Sequence, residues 1–104
     1  MQMYVRPFQI LGNTANLTVG TSSSNVLIPL GGIGNKSIRV FNSGTNVVFF
    51  KLGTGNTTSA SASTDTPLLP NSVETFFLQN EVTYIAAIAA GTGNTLYVTP
   101  GESA

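Results

Sequence analysis

The sequence predicts an all-β protein, a single-domain antiparallel β-sandwich or small barrel, on three observations. Helix signals are nearly absent: the one run of good helix formers, residues 85–90, is stopped by Gly91 and is too short to stand as a helix. Short β-branched or aromatic runs recur along the chain. Clusters of Gly, Asn, Ser and Pro, the residues of turns, separate them. Seven or eight short strands with turns between them suit a sandwich or barrel better than any other class.

Taken in order, the strands are expected at residues 8–11 with 17–19, then 25–30, 37–42, 46–52, 73–79, 83–89 and 95–99. Alternation assigns their faces. Ile38 and Val40 share one side of their strand, against Arg39 and Phe41. Val48, Phe50 and Leu52 oppose Val47, Phe49 and Lys51. Val73, Thr75 and Phe77 oppose Glu74, Phe76 and Leu78. Some strands are therefore apolar on both sides, and two readings of the second side compete. A loop of the same domain covers it, or it meets another chain, as exposed apolar patches of several hundred Å² usually do.

Gly31-Gly32-Ile33-Gly34-Asn35 ends one strand and begins another, and Ser43-Gly44-Thr45 lies between strands at hairpin spacing, where Gly supplies positive φ. Residues 53–71 form a long loop of low complexity, longer than compact domains usually carry without a purpose. Gly-Thr-Gly-Asn-Thr occurs at 53–57 and again at 91–95, read as turn chemistry used twice. The domain proper is expected over residues 8–104, after an extended N-terminal arm at 1–7.

Composition bears on function. The chain of 104 residues has no His, Cys or Trp, and only four acids and four bases, so its formal net charge is zero. Ser, Thr, Asn and Gly fill more than two-fifths of it. Histidine is the only side chain whose unperturbed pKa lies near neutrality, so the composition argues against an enzyme and for a protein whose output is a surface. A hydrophobic content of 41% is nonetheless enough for a core. The scattered Arg6, Lys36, Arg39 and Lys51 make no basic stripe for nucleic acid. No segment has the run of apolar residues of a membrane-spanning helix, and the N-terminus lacks the pattern of a signal peptide, so synthesis in the cytoplasm is expected.

Chemical motifs fail on inspection. Gly31-Gly32-Ile33-Gly34-Asn35-Lys36-Ser37 has Leu30 and Asn35 where a phosphate loop needs Gly, and it runs into a strand instead of a helix. Asn16-Leu17-Thr18, Asn35-Lys36-Ser37 and Asn56-Thr57-Thr58 are glycosylation-type triplets at the number expected by chance. Asp65, Glu74, Glu81 and Glu102 show no spacing that suggests a metal site or an acid–base pair. No cofactor, metal, nucleic acid, membrane or small-molecule substrate is therefore expected. Tyr4, Tyr84 and Tyr97 suggest sugar stacking, although Trp, the usual platform, is missing. The sharpest interaction signal is Pro67-Leu68-Leu69-Pro70, two leucines held between prolines; they either close one end of the sandwich or dock on a partner at reduced entropic cost. The candidate contact residues are Tyr4, Arg6, Pro7, Val47, Phe49, Leu68 and Leu69.

The stretch Val40-Phe41-Asn42-Ser43-Gly44-Thr45-Asn46-Val47-Val48-Phe49-Phe50-Lys51-Leu52-Gly53 resembles small virion proteins of tailed bacteriophages. The resemblance continues through Pro67-Leu68-Leu69-Pro70-Asn71-Ser72-Val73-Glu74-Thr75-Phe76, Tyr84-Ile85-Ala86-Ala87-Ile88 and Gly93-Asn94-Thr95-Leu96-Tyr97-Val98-Thr99-Pro100-Gly101-Glu102. It implies a capsid decoration, or cement, protein with a jelly-roll-like sandwich. Such a protein would bind the outer face of the major capsid protein lattice as a dimer or trimer, on the virion exterior. A phage tail, fibre or head-spike component and a small carbohydrate-binding β-sandwich are the alternative expectations.

Overall fold

The computed structural model describes residues 8–30, 36–79 and 81–102. The expected arm at 1–7 and the Gly31–Asn35 turn thus lie outside the described residues. Among the described residues there are nine strands: β1 (Gln9–Ile10), β2 (Ala15–Val19), β3 (Ser24–Leu27), β4 (Lys36–Asn42), β5 (Val48–Gly53), β6 (Thr66–Leu68), β7 (Val73–Phe77), β8 (Tyr84–Ala89) and β9 (Asn94–Glu102). They form two antiparallel sheets. The front sheet runs β1-β9-β4-β7, with β2 following β1 along the same edge of β9, and the back sheet runs β3-β8-β5-β6.

The register shows how these sheets arise. Gln9 faces Glu102, Ala15 faces Val98, Ser24 faces Ala87, Ser37 faces Phe77 and Val48 faces Leu68. As the first partner advances along the chain, the second retreats by nearly the same number of residues. The protein is one long hairpin whose tip lies between β5 and β6. The hairpin is then rolled, and two further ladders close the roll: Val40 beside Val98, and Val48 beside Ala89. This is the jelly roll.

The inner faces follow the expected alternation. Leu17, Val19, Ile38, Val40, Leu96 and Val98 of the front sheet meet Val48, Phe50, Leu68, Ile85, Ala87 and Ala89 of the back sheet in one core. Large side chains sit beside small ones: Phe50 faces Ala87 across the ladder and packs on Phe76, ring centroids 5.1 Å apart.

Two buried asparagines, Asn42 and Asn94, organise one end of the sandwich. Asn42 Nδ2 donates to the carbonyls of Asn46 (2.9 Å) and Leu68 (3.1 Å), and its Oδ1 accepts from Gly44 N (3.0 Å). Asn94 Nδ2 donates to the carbonyls of Gly91 (2.8 Å) and Val19 (3.3 Å), and its Oδ1 accepts from Asn46 N. Among the described residues no buried side-chain polar atom is left without a partner.

Three local expectations are corrected. Ser43-Gly44-Thr45 does not close a hairpin; it carries the chain from β4 in the front sheet to β5 in the back sheet. Gly44 serves there by its size: a Cβ on it would stand 2.6 Å from Asn94 Cγ, and its φ is not among the positive ones. The long loop holds a strand, β6, which the pattern hid because it is three residues long and contains Pro67. An edge strand tolerates that proline, since one side of it carries no ladder. The two Gly-Thr-Gly-Asn-Thr copies also differ. The second makes the β8–β9 turn with Gly93 at φ 85°, whereas the first ends β5 and opens the loop that follows.

Asn71, in the β6–β7 turn, is the only described residue other than Gly with positive φ, at 57°. It follows Pro70, and Ser72 N returns to the Leu69 carbonyl, the proline-then-left-handed order of a type II turn. Asn71→Val is expected to cost about 1–2 kcal/mol in urea unfolding, the steric cost of the left-handed region. Asn71→Gly is expected to stay within about 0.5 kcal/mol of wild type.

Candidate functional site

Alternation along β5 turns Phe49 outward on the back sheet, between Ile88 of β8 and Pro67 of β6. Val47 precedes β5 on the same parity and is half-buried, while Leu69, just beyond β6, is 62% exposed. Three of the expected contact residues, Val47, Phe49 and Leu69, therefore lie at one corner of the back face with Pro67 and Ile88. Leu68 does not join them: it points inward, is fully buried, and belongs to the core. The two leucines alternate across the sheet, so they cannot act together. Tyr4, Arg6 and Pro7 lie outside the described residues.

Part of the rest of the back face is covered by the chain itself, while Lys51 and Leu27, also turned outward, are exposed. Asn25 Nδ2 donates to the carbonyls of Asn56 (2.9 Å) and Thr58 (3.0 Å), and Ala60 N donates to Ser23 Oγ (2.8 Å). These bonds lay residues 56–60 along β3, whose Asn25 pairs with the outward and fully buried Ala86 of β8. Asp65 serves that loop, its Oδ2 accepting from Ser61 N at 2.6 Å. Of the two readings of the second apolar side, cover by a loop therefore holds around Asn25 and Ala86.

The front sheet is different. Register aligns its outward residues into rows that cross the strands. Gly101, Ser37 and Phe77 form one row, Thr99, Arg39 and Thr75 the next, and Tyr97, Phe41 and Val73 the third. The aromatic row stands beside the threonine row, and a groove of about 440 Å³ lies along it, lined by Thr14, Arg39, Phe41, Val73, Tyr97 and Thr99. Phe41 and Tyr97 stack across the ladder, centroids 6.0 Å apart and planes inclined by 21°. Thr14 and Thr99 share a hydroxyl–hydroxyl bond of 2.8 Å at one wall. Arg39 is exposed, and no hydrogen bond or ion pair ties it to another described residue.

Sequence reading did not single out this groove. Its residues come from β4, β7, β9 and the segment before β2, and only the register brings them together. The outward alternation of Arg39 with Phe41 was the one local signal. Tyr84 and Tyr97, paired above as possible sugar platforms, lie on opposite faces: Tyr84 faces Leu27 on the back sheet, and Tyr97 stacks on Phe41 on the front. Among the described residues, no three His, Cys, Asp or Glu side chains gather as a metal site. Comparison with protein-family models and with curated proteins finds no match to this chain.

Proposed function

We propose that this protein is a non-enzymatic virion structural protein, a capsid decoration protein that binds the outer face of the major capsid protein lattice. The observation that carries the reading is the corner formed by Val47, Phe49, Pro67, Leu69 and Ile88. It is an apolar patch, with the exposed Lys51 as the next outward residue of β5, on a sheet face that the chain covers in part with its own loop. Composition and the resemblance to phage virion proteins add to it. In this reading each copy adds a modest apolar contact at a seam between capsomers. Many copies, associated as dimers or trimers, then reinforce the shell through avidity.

Cryo-electron microscopy of the intact particle tests this proposal. Hundreds of copies on the head surface, docked through the Phe49–Leu69 corner, are the expected result. Six or twelve copies at a vertex or on the tail would assign the module to a tail, fibre or spike, and absence from the particle would end the virion reading. Because the patch is apolar, occupancy is expected to change little between ~50 and ~500 mM salt, a range that screens surface ion pairs. Release of the protein across that range would mean that Arg6, Lys36, Arg39 or Lys51 carries the contact.

A further inference from the structure

The front-sheet groove combines three features that no part of the fold requires. The first is a stacked aromatic pair. Phe41 and Tyr97 are adjacent on neighbouring strands, nearly parallel, and both turned away from the core. Such a pair offers a ring-sized apolar surface to a ligand with a flat face of its own. The second is a set of hydroxyls beside that pair, from Thr14 and Thr99 in the groove and Thr75 along the same row. Thr14 and Thr99 donate to each other in one direction only, so one hydroxyl proton and several lone pairs remain for a ligand.

The third feature is Arg39. Among the described residues it is the only charged one lining the groove, its side chain has no hydrogen-bond or ion-pair partner, and no carboxylate lines the groove with it. Glu74, on the neighbouring strand, has the opposite parity and belongs to the other side of β7. In a chain of few charges this gives the groove a local positive potential. A planar guanidinium with free donors matches a carboxylate in bidentate geometry.

We infer that this groove binds an acidic saccharide, a pyranose chain bearing carboxylates of the uronic or sialic acid type. One sugar ring lies on Phe41 and Tyr97, its hydroxyls meet Thr14 and Thr99, and a carboxylate of the same or the next ring pairs with Arg39. The lining residues span four neighbouring chain segments, about 15 Å at the ~4.8 Å spacing of strands, which suits a short run of sugar rings rather than a single one. An acidic peptide would use Arg39 alone and leave the aromatic pair idle. A nucleic acid would bring one phosphate charge per nucleotide to a groove with a single cation, too few to drive its binding. Neutral sugars would leave the guanidinium without its ion partner. The site is on the face opposite the proposed capsid-docking corner and stands whether or not the protein resides on a virion.

The test is a titration of ¹⁵N-labelled protein with tetragalacturonate and with sialyllactose. The controls are the methyl ester of tetragalacturonate, lactose and a short poly-glutamate peptide. At least one acidic sugar is expected to shift the amide signals around Arg39, Phe41, Tyr97 and Thr99, leaving those around Phe49 and Leu69 unchanged. Its neutral counterpart is expected to bind at least tenfold more weakly. Arg39→Gln and Tyr97→Ala are each expected to lower the affinity at least tenfold, with spectra that otherwise remain those of the folded protein. Because Arg39 is exposed and makes no internal bond, the first variant separates lost binding from lost folding.

Three results would overturn the inference. One is the absence of shifts at these positions with both acidic sugars. Another is equal binding of a sugar and its uncharged counterpart. The third is poly-glutamate binding as tight as that of the sugars, which would make Arg39 a protein contact.

Discussion

Asn42→Leu is expected to lower the stability of the domain by about 4 kcal/mol, since three backbone groups at a buried site lose their partner together. The substitution keeps the approximate shape of the side chain but removes the acceptor for Gly44 N and the donor to the Asn46 and Leu68 carbonyls. In a domain this small the loss corresponds to a fall in Tm of at least ~15 °C. Asn42→Asp separates the hydrogen bonds from the volume. Its carboxylate still accepts from Gly44 N but faces two carbonyl oxygens where the amide donated. Burial and those oxygens raise the pKa of such a carboxyl above its unfolded value. The neutral form is then the one the fold accepts. Stability relative to wild type is best below the unfolded carboxyl pKa of ~4 and is lost as pH rises through the folded value. Urea midpoints at pH 4 and pH 8 read the difference; a deficit that does not grow with pH would mean that the site is open to water.

Phe49 and Phe50 supply the second large effect, because adjacent identical side chains face opposite ways. Phe50 is 4% exposed, lies between the sheets and packs on Phe76. Phe50→Ala is expected to cost about 3–5 kcal/mol through lost burial and the cavity left behind. That is a large share of the ~5–15 kcal/mol typical of a whole domain. Phe49→Ala removes a half-buried ring from the outer corner and is expected to cost less than about 1.5 kcal/mol, because the ring is already in part in contact with water. Thermal unfolding of the two variants side by side checks the assignment of faces. Equal losses would mean that the outer corner is as closely packed as the core.

Much of this fold was legible in the sequence, because period-two alternation is a local signal. Ile38, Val40, Val48 and Phe50 point inward as the pattern requires, and β4, β5, β7, β8 and β9 fall within a few residues of their expected places. What was illegible depends on pairing between distant segments. Pro67 disguised β6 because nothing local marks a strand as an edge. Ser43-Gly44-Thr45 has the length of a hairpin turn, and only the partners of β4 and β5 reveal that it crosses between sheets. Asn42 was placed at the end of a strand and Asn94 in a turn, and neither was marked as buried, since burial of an asparagine follows from what surrounds it. The outer corner was half legible: Val47, Phe49 and Leu69 were named from sequence, but Leu68 was not separated from Leu69 until the register of β6 against β5 was known. Arg39 and Tyr97 meet only across the β4–β9 ladder, which joins residues more than half the chain apart.

The single rolled hairpin also sets an order of events during synthesis. The mates of the early strands arrive in reverse: β6 reaches β5 first, and β9, the partner of β1, β2 and β4, comes last. At ~5–20 residues per second, β4 and β5 wait a few seconds on the ribosome for the strands that flank them in the finished sheets. Until β9 emerges, the front sheet lacks its central strand and the inner face of the back sheet has little to enclose. Residues 94–102 are therefore those that lock β1 and β2, and a nascent chain that has not yet reached them exposes apolar strands with few charges to keep them apart. Prompt emergence of β9 is in this sense part of what keeps the protein from self-association.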